Sequence, residues 1–257
     1  MRRLEISHWG EKYATFETYN RFKCARLDSA WNTHKRAPAI QHAFKRGCCA
    51  KGTKMKDDST KSKLLKAAIS VFGNHGYSGG SVRQIAELAN TNIGAIKYHY
   101  SSKEQLWKSV VDYLFIKLSE AILKDSGLWP SMSPRDRVVN STKNYIFFCA
   151  NYPELNRIIL SETIQNGDRL HWLAENHMRF FIERSTAWMA IAQENGVYPR
   201  EISVLNLVFI AMSASQNLFL MAPFVEHAFG IDVFKKDQIE KHVDAVVKLL
   251  LNEAECL

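Results

Sequence analysis

Apolar residues recur at helical spacing over almost the whole chain after Ser59, and this periodicity constrains the fold more than any other feature. The first stripe consists of Leu64, Leu65, Ala68, Val71 and Phe72. No later stretch alternates with a period of two for long enough to predict a strand. The sequence therefore predicts an all-α fold.

Capping residues and prolines divide this helical sequence into segments. The first four helices are predicted from Ser59 or Thr60 to Gly76, from Ser81 to Ala89, from Ile93 to His99, and from Ser102 to about Lys124. Five further segments are predicted at about 135–150, 154–165, 168–195, 201–222 and 236–252, with prolines at or near their boundaries. A polar turn at residues 90–92 separates the second and third helices by only three residues.

The net charge of +8 is concentrated at the N-terminus. Residues 1–54 hold 12 Lys+Arg and 4 Asp+Glu, so the rest of the chain sums to zero, with a balance of +4 in residues 59–106 and −3 in residues 107–257. This asymmetry indicates a polyanion-binding part that precedes a mildly acidic body. With only 12 Gly, 6 Pro and an odd number of cysteines without a C-x-x-C pair, collagen-like, disordered, disulfide-framework and cysteine–zinc classes are excluded.

Residues 1–54 follow no periodic pattern for long, and two interpretations remain open. The segment is either a basic arm that binds phosphates beside the main site, or an upstream translation that the working protein lacks, with Met55 as the natural start. We favour the second interpretation. In both cases we expect residues 1–54 to be a basic extension that is disordered or absent from the native protein.

Three short helices within about fifty residues, two of them joined by a tight turn, predict a helix-turn-helix that places its third helix in the major groove of DNA. Small residues at Ala86 and Ala89 would let that helix pack closely, and Ile93 and Ile96 are expected to point inward. We expect one of Tyr98 and His99 to face the groove and the other to be packed. The candidate DNA-binding residues are Ser81, Asn92, Gly94, Ala95, Lys97, Tyr98, His99 and Lys103.

The run FGNHGYSGGSVRQIAELANTNIGAIKYHYSSKEQLW resembles the DNA-binding motif of the TetR family of transcriptional regulators. The resemblance implies a helix-turn-helix domain at 55–106, an effector-binding and dimerisation domain at 107–257, and a dimeric repressor that a small molecule releases from a palindromic operator. A ligand-dependent activator or a corepressor-type regulator of the same fold is the alternative. Ala95 and Lys97 depart from the family's common threonine and aromatic residues, so no operator sequence can be carried over. A second run, NYPELNRIILSETIQNGDRLHWLAE, resembles RutR-like members more weakly and indicates helix arrangement only.

Aromatic and polar residues concentrate between positions 145 and 188 and suggest a mainly apolar effector pocket. The candidates are Tyr145, Phe148, Cys149, Trp172, Asn176, His177, Phe181 and Trp188, each of which could instead be ordinary core. His171 and His177 lie six residues apart, which does not place them on one helical face, so no metal site or cofactor is predicted. A helical enzyme is the alternative from another class, but no catalytic motif supports it.

The last two predicted helices are apolar enough to form a four-helix bundle between two copies of the chain. The candidate interface residues are Leu205, Phe209, Met212, Ile239, Val243, Val246, Val247 and Leu250. Burial of the same residues within one chain is the alternative. Polar residues interrupt the longest apolar stretch, Leu205 to Pro223, and no secretory signal is recognisable, so we expect no membrane span and a cytoplasmic location.

Overall fold

The computed structural model describes residues 59–251, and every regular element in that range is a helix. The α-helices are α1 (Thr60–Gly79), α2 (Val82–Leu88), α3 (Ile93–Tyr100), α4 (Lys103–Leu123), α5 (Pro134–Asn151), α6 (Pro153–Gln165), α7 (Asp168–Leu173), α8 (Arg179–Glu194), α9 (Val204–Leu220), α10 (Ala222–Phe229) and α11 (Lys236–Leu250). A 3₁₀ helix spans Ser126–Ser131, and a π-helical turn spans Ala174–Met178. The predicted all-α fold is confirmed, whereas the expectations for residues 1–54 lie outside the described residues.

We define the N-terminal head as α1 to α3. The start and the end of regular helix in α1 are each set by one residue. The Ser59 hydroxyl accepts the first-turn N–H of Ser62 at 3.3 Å, as expected for an N-cap. Regular α1 geometry breaks at Gly76, whose φ of 65° and ψ of −178° are open only to glycine. A Cβ at this position would also lie 2.6 Å from the Ser161 hydroxyl of α6. Gly76 therefore both ends the regular helix and permits a close approach to α6.

Helix α4 joins the head to the body, which we define as α5 to α11. Its residues Leu106, Trp107, Val110 and Leu114 are fully buried, in the same apolar cluster as Phe72 of α1. The helix continues without a break through residues 106 and 107, where the sequence suggested a domain boundary. A movement of α4 would therefore act directly on the packing of the head.

Helix α1 also packs along α6 of the body, and polar contacts line this seam. The Arg157 guanidinium donates to the Asn74 side chain at 3.0 Å, and the Ser78 hydroxyl donates to the Gln165 side chain at 3.3 Å. A Cβ on Gly73 would lie 2.5 Å from a side-chain carbon of Glu154, so the two helices are close at this point. The head thus contacts the body along α6 as well as through α4.

The structure differs from the predicted segments at two places. The segment predicted at 168–195 contains the π-helical turn between α7 and α8. The segment predicted at 201–222 ends at Leu220, and Pro223 lies in the first turn of the additional helix α10, where the absence of an N–H on proline costs no hydrogen bond.

Within the described residues no single helix is long and apolar enough to cross a membrane. The pair α9 and α10 reaches that length and composition together, but the two helices meet at an angle of 55°.

The expected dimer interface is corrected for α11. Ile239, Val243 and Val246 are buried within the chain because α11 lays its apolar stripe on α5 and α9. Val247 and Leu250 are partly buried against the same body. Ile239, Val243 and Val246 belong to the chain's own core, which was the alternative interpretation, because an amphipathic stripe does not specify which surface covers it. The interface role of Val247 and Leu250 stays a prediction.

Part of the apolar surface of α9 also stays uncovered. Leu205 and Phe209 are 52% and 50% exposed, and the neighbouring Ile210 is 47% exposed. Met212, expected at the interface, is partly buried and faces the interior of the body instead.

Candidate nucleic-acid interface

The start of each helix in the α2–turn–α3 unit is fixed by side-chain caps. The Ser81 hydroxyl accepts the Gln84 N–H at 3.1 Å, and the Gln84 side chain accepts the Ser81 N–H at 3.0 Å, which completes a capping box. Asn90 takes a φ of 51° in the turn, and the Asn92 side chain accepts the Ala95 N–H at 3.0 Å. Local chemistry therefore sets where α3 begins and the direction in which it leaves the turn.

Two buried residues hold α3 against the rest of the head. Ile96 and Tyr100 are 3% and 7% exposed, and the Tyr100 hydroxyl donates to the Lys61 carbonyl oxygen of α1 at 2.7 Å. Burial raises the pKa of Tyr100 to about 12, so the hydroxyl remains a hydrogen-bond donor at neutral pH. Ala86 and Ala89 are also buried and leave room for α3 to pack closely, as the sequence suggested.

The opposite face of α3 is open to solvent. Asn92, Gly94 and Lys97 are exposed, and Tyr98 is 85% exposed. Tyr98 is therefore the outward member of the Tyr98–His99 pair, while His99 is only partly buried, with its ring 4.9 Å from that of Tyr98.

Two residues of α3 do not take the positions that the sequence suggested. Ile93 was expected to point inward but is 50% exposed. It is the first residue of α3 and lies on the same face of the helix as Lys97, four residues later. Ala95, expected to contact DNA, is partly buried and packs against the core of the head.

The charged residues at this surface differ in their availability. Lys97 is exposed and forms no ion pair within residues 59–251. Lys103, expected to bind a phosphate, instead lies with its ammonium nitrogen 4.4 Å from the centre of the Tyr77 ring. Burial and the positive charge of Arg169 lower the pKa of Lys103. Lys97 is therefore the cation of this set that presents its charge directly to solvent on α3.

A second feature of the head is a contact with the body that sequence reasoning missed. The Arg169 guanidinium carbon lies 3.9 Å from the centre of the Tyr77 ring, so Tyr77 contacts two cations. Arg169 donates to the Glu162 carboxylate at 3.0 Å and to the Gln165 side chain at 2.9 Å. The Glu162 side chain is 1% exposed, so this ion pair ties α6 and α7 to the head from inside the protein.

The candidate effector residues are split between three places. Tyr145, Phe148 and Phe181 line a cavity of about 10 Å³, together with Met178 and Met212, which sequence reasoning missed because single methionines carry no signal. Cys149 is fully buried, and burial raises the pKa of its thiol to about 12.

The other candidates do not line this cavity. Trp172 packs edge-on against Trp107, and the His177 ring stacks on Phe115 with its Nε2 2.9 Å from the Asp112 carboxylate. The Asn176 side chain donates to the backbone of its own helix, and Trp188 stacks on Trp129 at 5.0 Å. Among the residues that the structure describes, no group of three His, Cys, Asp or Glu side chains could hold a metal ion.

Fold and surface together define a helix-turn-helix of the kind that DNA-binding regulators use. Residues 64–110 match the family model for "Bacterial regulatory proteins, tetR family", which covers most of α1, the α2–turn–α3 unit and the start of α4. This match agrees with the resemblance of the DNA-binding motif that the sequence suggested, and it covers that motif only.

Two curated relatives are transcriptional regulators by name, and a solved structure shares the fold. The chain is 29% identical to the HTH-type transcriptional repressor NicS of Pseudomonas putida, over 48% of this chain and 56% of that protein. It is 23% identical to the HTH-type transcriptional regulator RutR of Escherichia coli, over 74% of this chain and 88% of that protein. The crystal structure of AibR in complex with isovaleryl coenzyme A and operator DNA shares the fold, with a TM-score of 0.60, 17% identity, and coverage of 75% of this chain and 98% of that one.

Proposed function

We propose that two copies of the chain bind a palindromic operator in the bacterial cytoplasm and repress transcription until a small molecule releases them. The observation that carries this proposal is the surface of α3, where Lys97 and Tyr98 extend outward from a helix anchored by Ile96 and Tyr100. A capped, anchored helix with a polar outer face can enter a major groove without rearranging. A dimer would place two such helices about one helical turn of DNA apart, roughly 34–36 Å.

The DNA-binding part is tested by selecting bound sequences from a random pool of duplexes with the full chain. We expect an enriched palindrome whose two halves are separated by whole turns of the duplex. Enrichment of no sequence, or of a site without two-fold symmetry, would contradict the proposal.

The role of Lys97 is tested on the selected operator. Lys97→Ala should weaken binding and reduce the slope of log affinity against log salt concentration by about 0.9 for each phosphate that the side chain neutralises in the wild type. Lys248→Ala is the matched control, because it removes the same charge from an exposed position on α11. Equal salt slopes for the two variants would show that Lys97 does not contact DNA.

Dimerisation is proposed to use the uncovered face of α9. Leu205, Phe209 and Ile210 are about half exposed and lie on neighbouring turns, so a partner helix could bury them together. Phe209→Asp should give a monomer by sedimentation at micromolar concentration, because a charge would be buried at the centre of the contact. Phe180→Asp on α8, where the phenylalanine is 45% exposed, is the control that should remain dimeric. A monomeric wild-type protein under the same conditions would refute the dimer.

Release by an effector is proposed to begin at the small cavity of the body. Its volume of about 10 Å³ accommodates at most one water molecule, so a ligand must displace Met178, Phe181 or Met212. The methionines suit this role because their unbranched side chains repack at low cost. Outward displacement there can reach the head through α4, whose Phe115 and Leu118 line the same cavity.

The effector site is tested by measuring operator release with candidate compounds, beginning with isovaleryl coenzyme A, which a structural neighbour binds. Met212→Phe should retain operator affinity and lose the response to any compound that releases the wild type, because the larger side chain fills the cavity. A full response in this variant would place the effector elsewhere. A compound that strengthens operator binding would favour the corepressor alternative.

A further inference from the structure

Ile93 is the one aliphatic side chain that α3 exposes to a substantial degree. It is 50% exposed, whereas Ile96, three residues later, is 3% exposed and anchors the helix. Because each residue advances an α-helix by about 100°, Ile93 and Lys97 lie one above the other on the outer face. Exposed isoleucine therefore adjoins the cation that is proposed to approach DNA.

The first turn of α3 leaves Ile93 as its most prominent outward group. The Asn92 side chain oxygen is occupied by the Ala95 N–H, Gly94 has no side chain, and Ala95 is partly buried. The N-terminal residues of a helix in this position are the ones that meet base edges. Ile93 is therefore the exposed side chain of this turn that is not used to cap the helix.

An aliphatic side chain can read only one feature of the major groove, the 5-methyl group of thymine. We propose that Ile93 contacts a thymine methyl in each half-site and makes the protein prefer thymine to cytosine at that position. The inference rests on the proposed function, because it requires α3 to lie in the major groove. Lys97, on the next turn, would contact a neighbouring base edge or phosphate.

The test uses operator duplexes in which each thymine in turn is replaced by deoxyuridine, which lacks only the methyl group. For the wild type we expect one position per half-site where this replacement weakens binding about fourfold, the value for one buried methyl, and about fifteenfold when both half-sites are changed. Ile93→Ala should bind the thymine and deoxyuridine duplexes equally. Ile93→Val, which retains the branched carbon, should show a smaller but measurable difference.

The matched control is Ile116→Ala on α4, where the isoleucine is 47% exposed and outside the head. This variant should keep the full wild-type sensitivity to deoxyuridine. At the same position, 5-methylcytosine should bind the wild type about fourfold better than cytosine, since it restores the methyl group.

Three results separate failure of this inference from failure of the proposed function. If no duplex is enriched by the wild type, the proposed function fails and the inference fails with it. If an operator is selected but deoxyuridine has no effect at any position, DNA binding stands and the Ile93 contact is refuted. The contact is also refuted if Ile93→Ala retains the wild-type sensitivity to deoxyuridine.

Discussion

Removal of the Arg169 guanidinium should destabilise the protein by about 3–4 kcal/mol, mainly because it leaves a carboxylate buried without its partner. The Glu162 side chain is 1% exposed, while that of Arg169 is 25% exposed, and the two are joined at 3.0 Å. Loss of one member of a buried ion pair costs about 3–5 kcal/mol. The low end applies here because water can enter from the partly exposed side of Arg169. Removal of the cation from the face of the Tyr77 ring adds about 0.5–1 kcal/mol.

The measurement is urea unfolding of Arg169→Ala followed by circular dichroism, at one protein concentration because a dimer's stability depends on it. With a slope of about 1–3 kcal/mol per molar urea, the midpoint should fall by about 1–4 M. Adding Glu162→Gln to Arg169→Ala should recover part of the loss, since the amide removes the unpaired charge.

A second Arg–Glu pair in the same segment provides the control. Arg179 and Glu175 pair on the surface, with side chains 60% and 43% exposed, so Arg179→Ala should cost less than about 1 kcal/mol. Equal losses for Arg169→Ala and Arg179→Ala would refute the argument that burial decides the strength of the pair. So would a double variant no more stable than Arg169→Ala alone.

Three further predictions follow from single positions. Folding raises the pKa of the Cys149 thiol from 9.0 to about 12, so this cysteine should resist alkylation at pH 8 until urea unfolds the protein, and rapid labelling of the native protein would contradict this. The stability that the thiol contributes should be present below pH 9 and decline between about pH 9 and pH 12. Tyr100→Phe should cost about 1 kcal/mol and speed amide exchange at the start of α1, because the Lys61 carbonyl loses its donor. Gly76→Ala should cost about 1–3 kcal/mol in thermal unfolding, whereas Gly167→Ala, with a φ of −110° and open space around its Cβ, should be near neutral; similar losses would refute the backbone argument.

The features of the head that depend on local chemistry could be predicted from the sequence. Ser81, Asn92 and Ser102 cap α2, α3 and α4 because a polar side chain at these positions satisfies the first free N–H groups of the following turn. Burial of Ile96 and Tyr100 also follows from spacing. Ile93 could not be assigned in the same way, because its position at the edge of the buried face depends on how α3 crosses α2.

The features of the body that depend on tertiary packing could not be predicted. The stripe on α11 signals burial but not its partner, and the chain itself covers Ile239, Val243 and Val246. The pairing of Glu162 with Arg169 requires α6 and α7 to meet beside Tyr77, and nothing in the spacing of these residues indicates that contact. Trp188 does not line the cavity, because it stacks on Trp129 in a 3₁₀ helix that the sequence pattern did not reveal.

The most direct test of DNA binding by α3 is photocrosslinking from the outer face of this helix. A benzophenone amino acid is placed at Tyr98, which is 85% exposed, or at Phe224 of α10, which is 58% exposed and serves as the control. With selected operator bound and irradiated, we expect position 98 to crosslink to bases in both half-sites and position 224 to give no DNA adduct. A bound complex without adducts from position 98, or with adducts from position 224 alone, would contradict the claim that α3 enters the major groove.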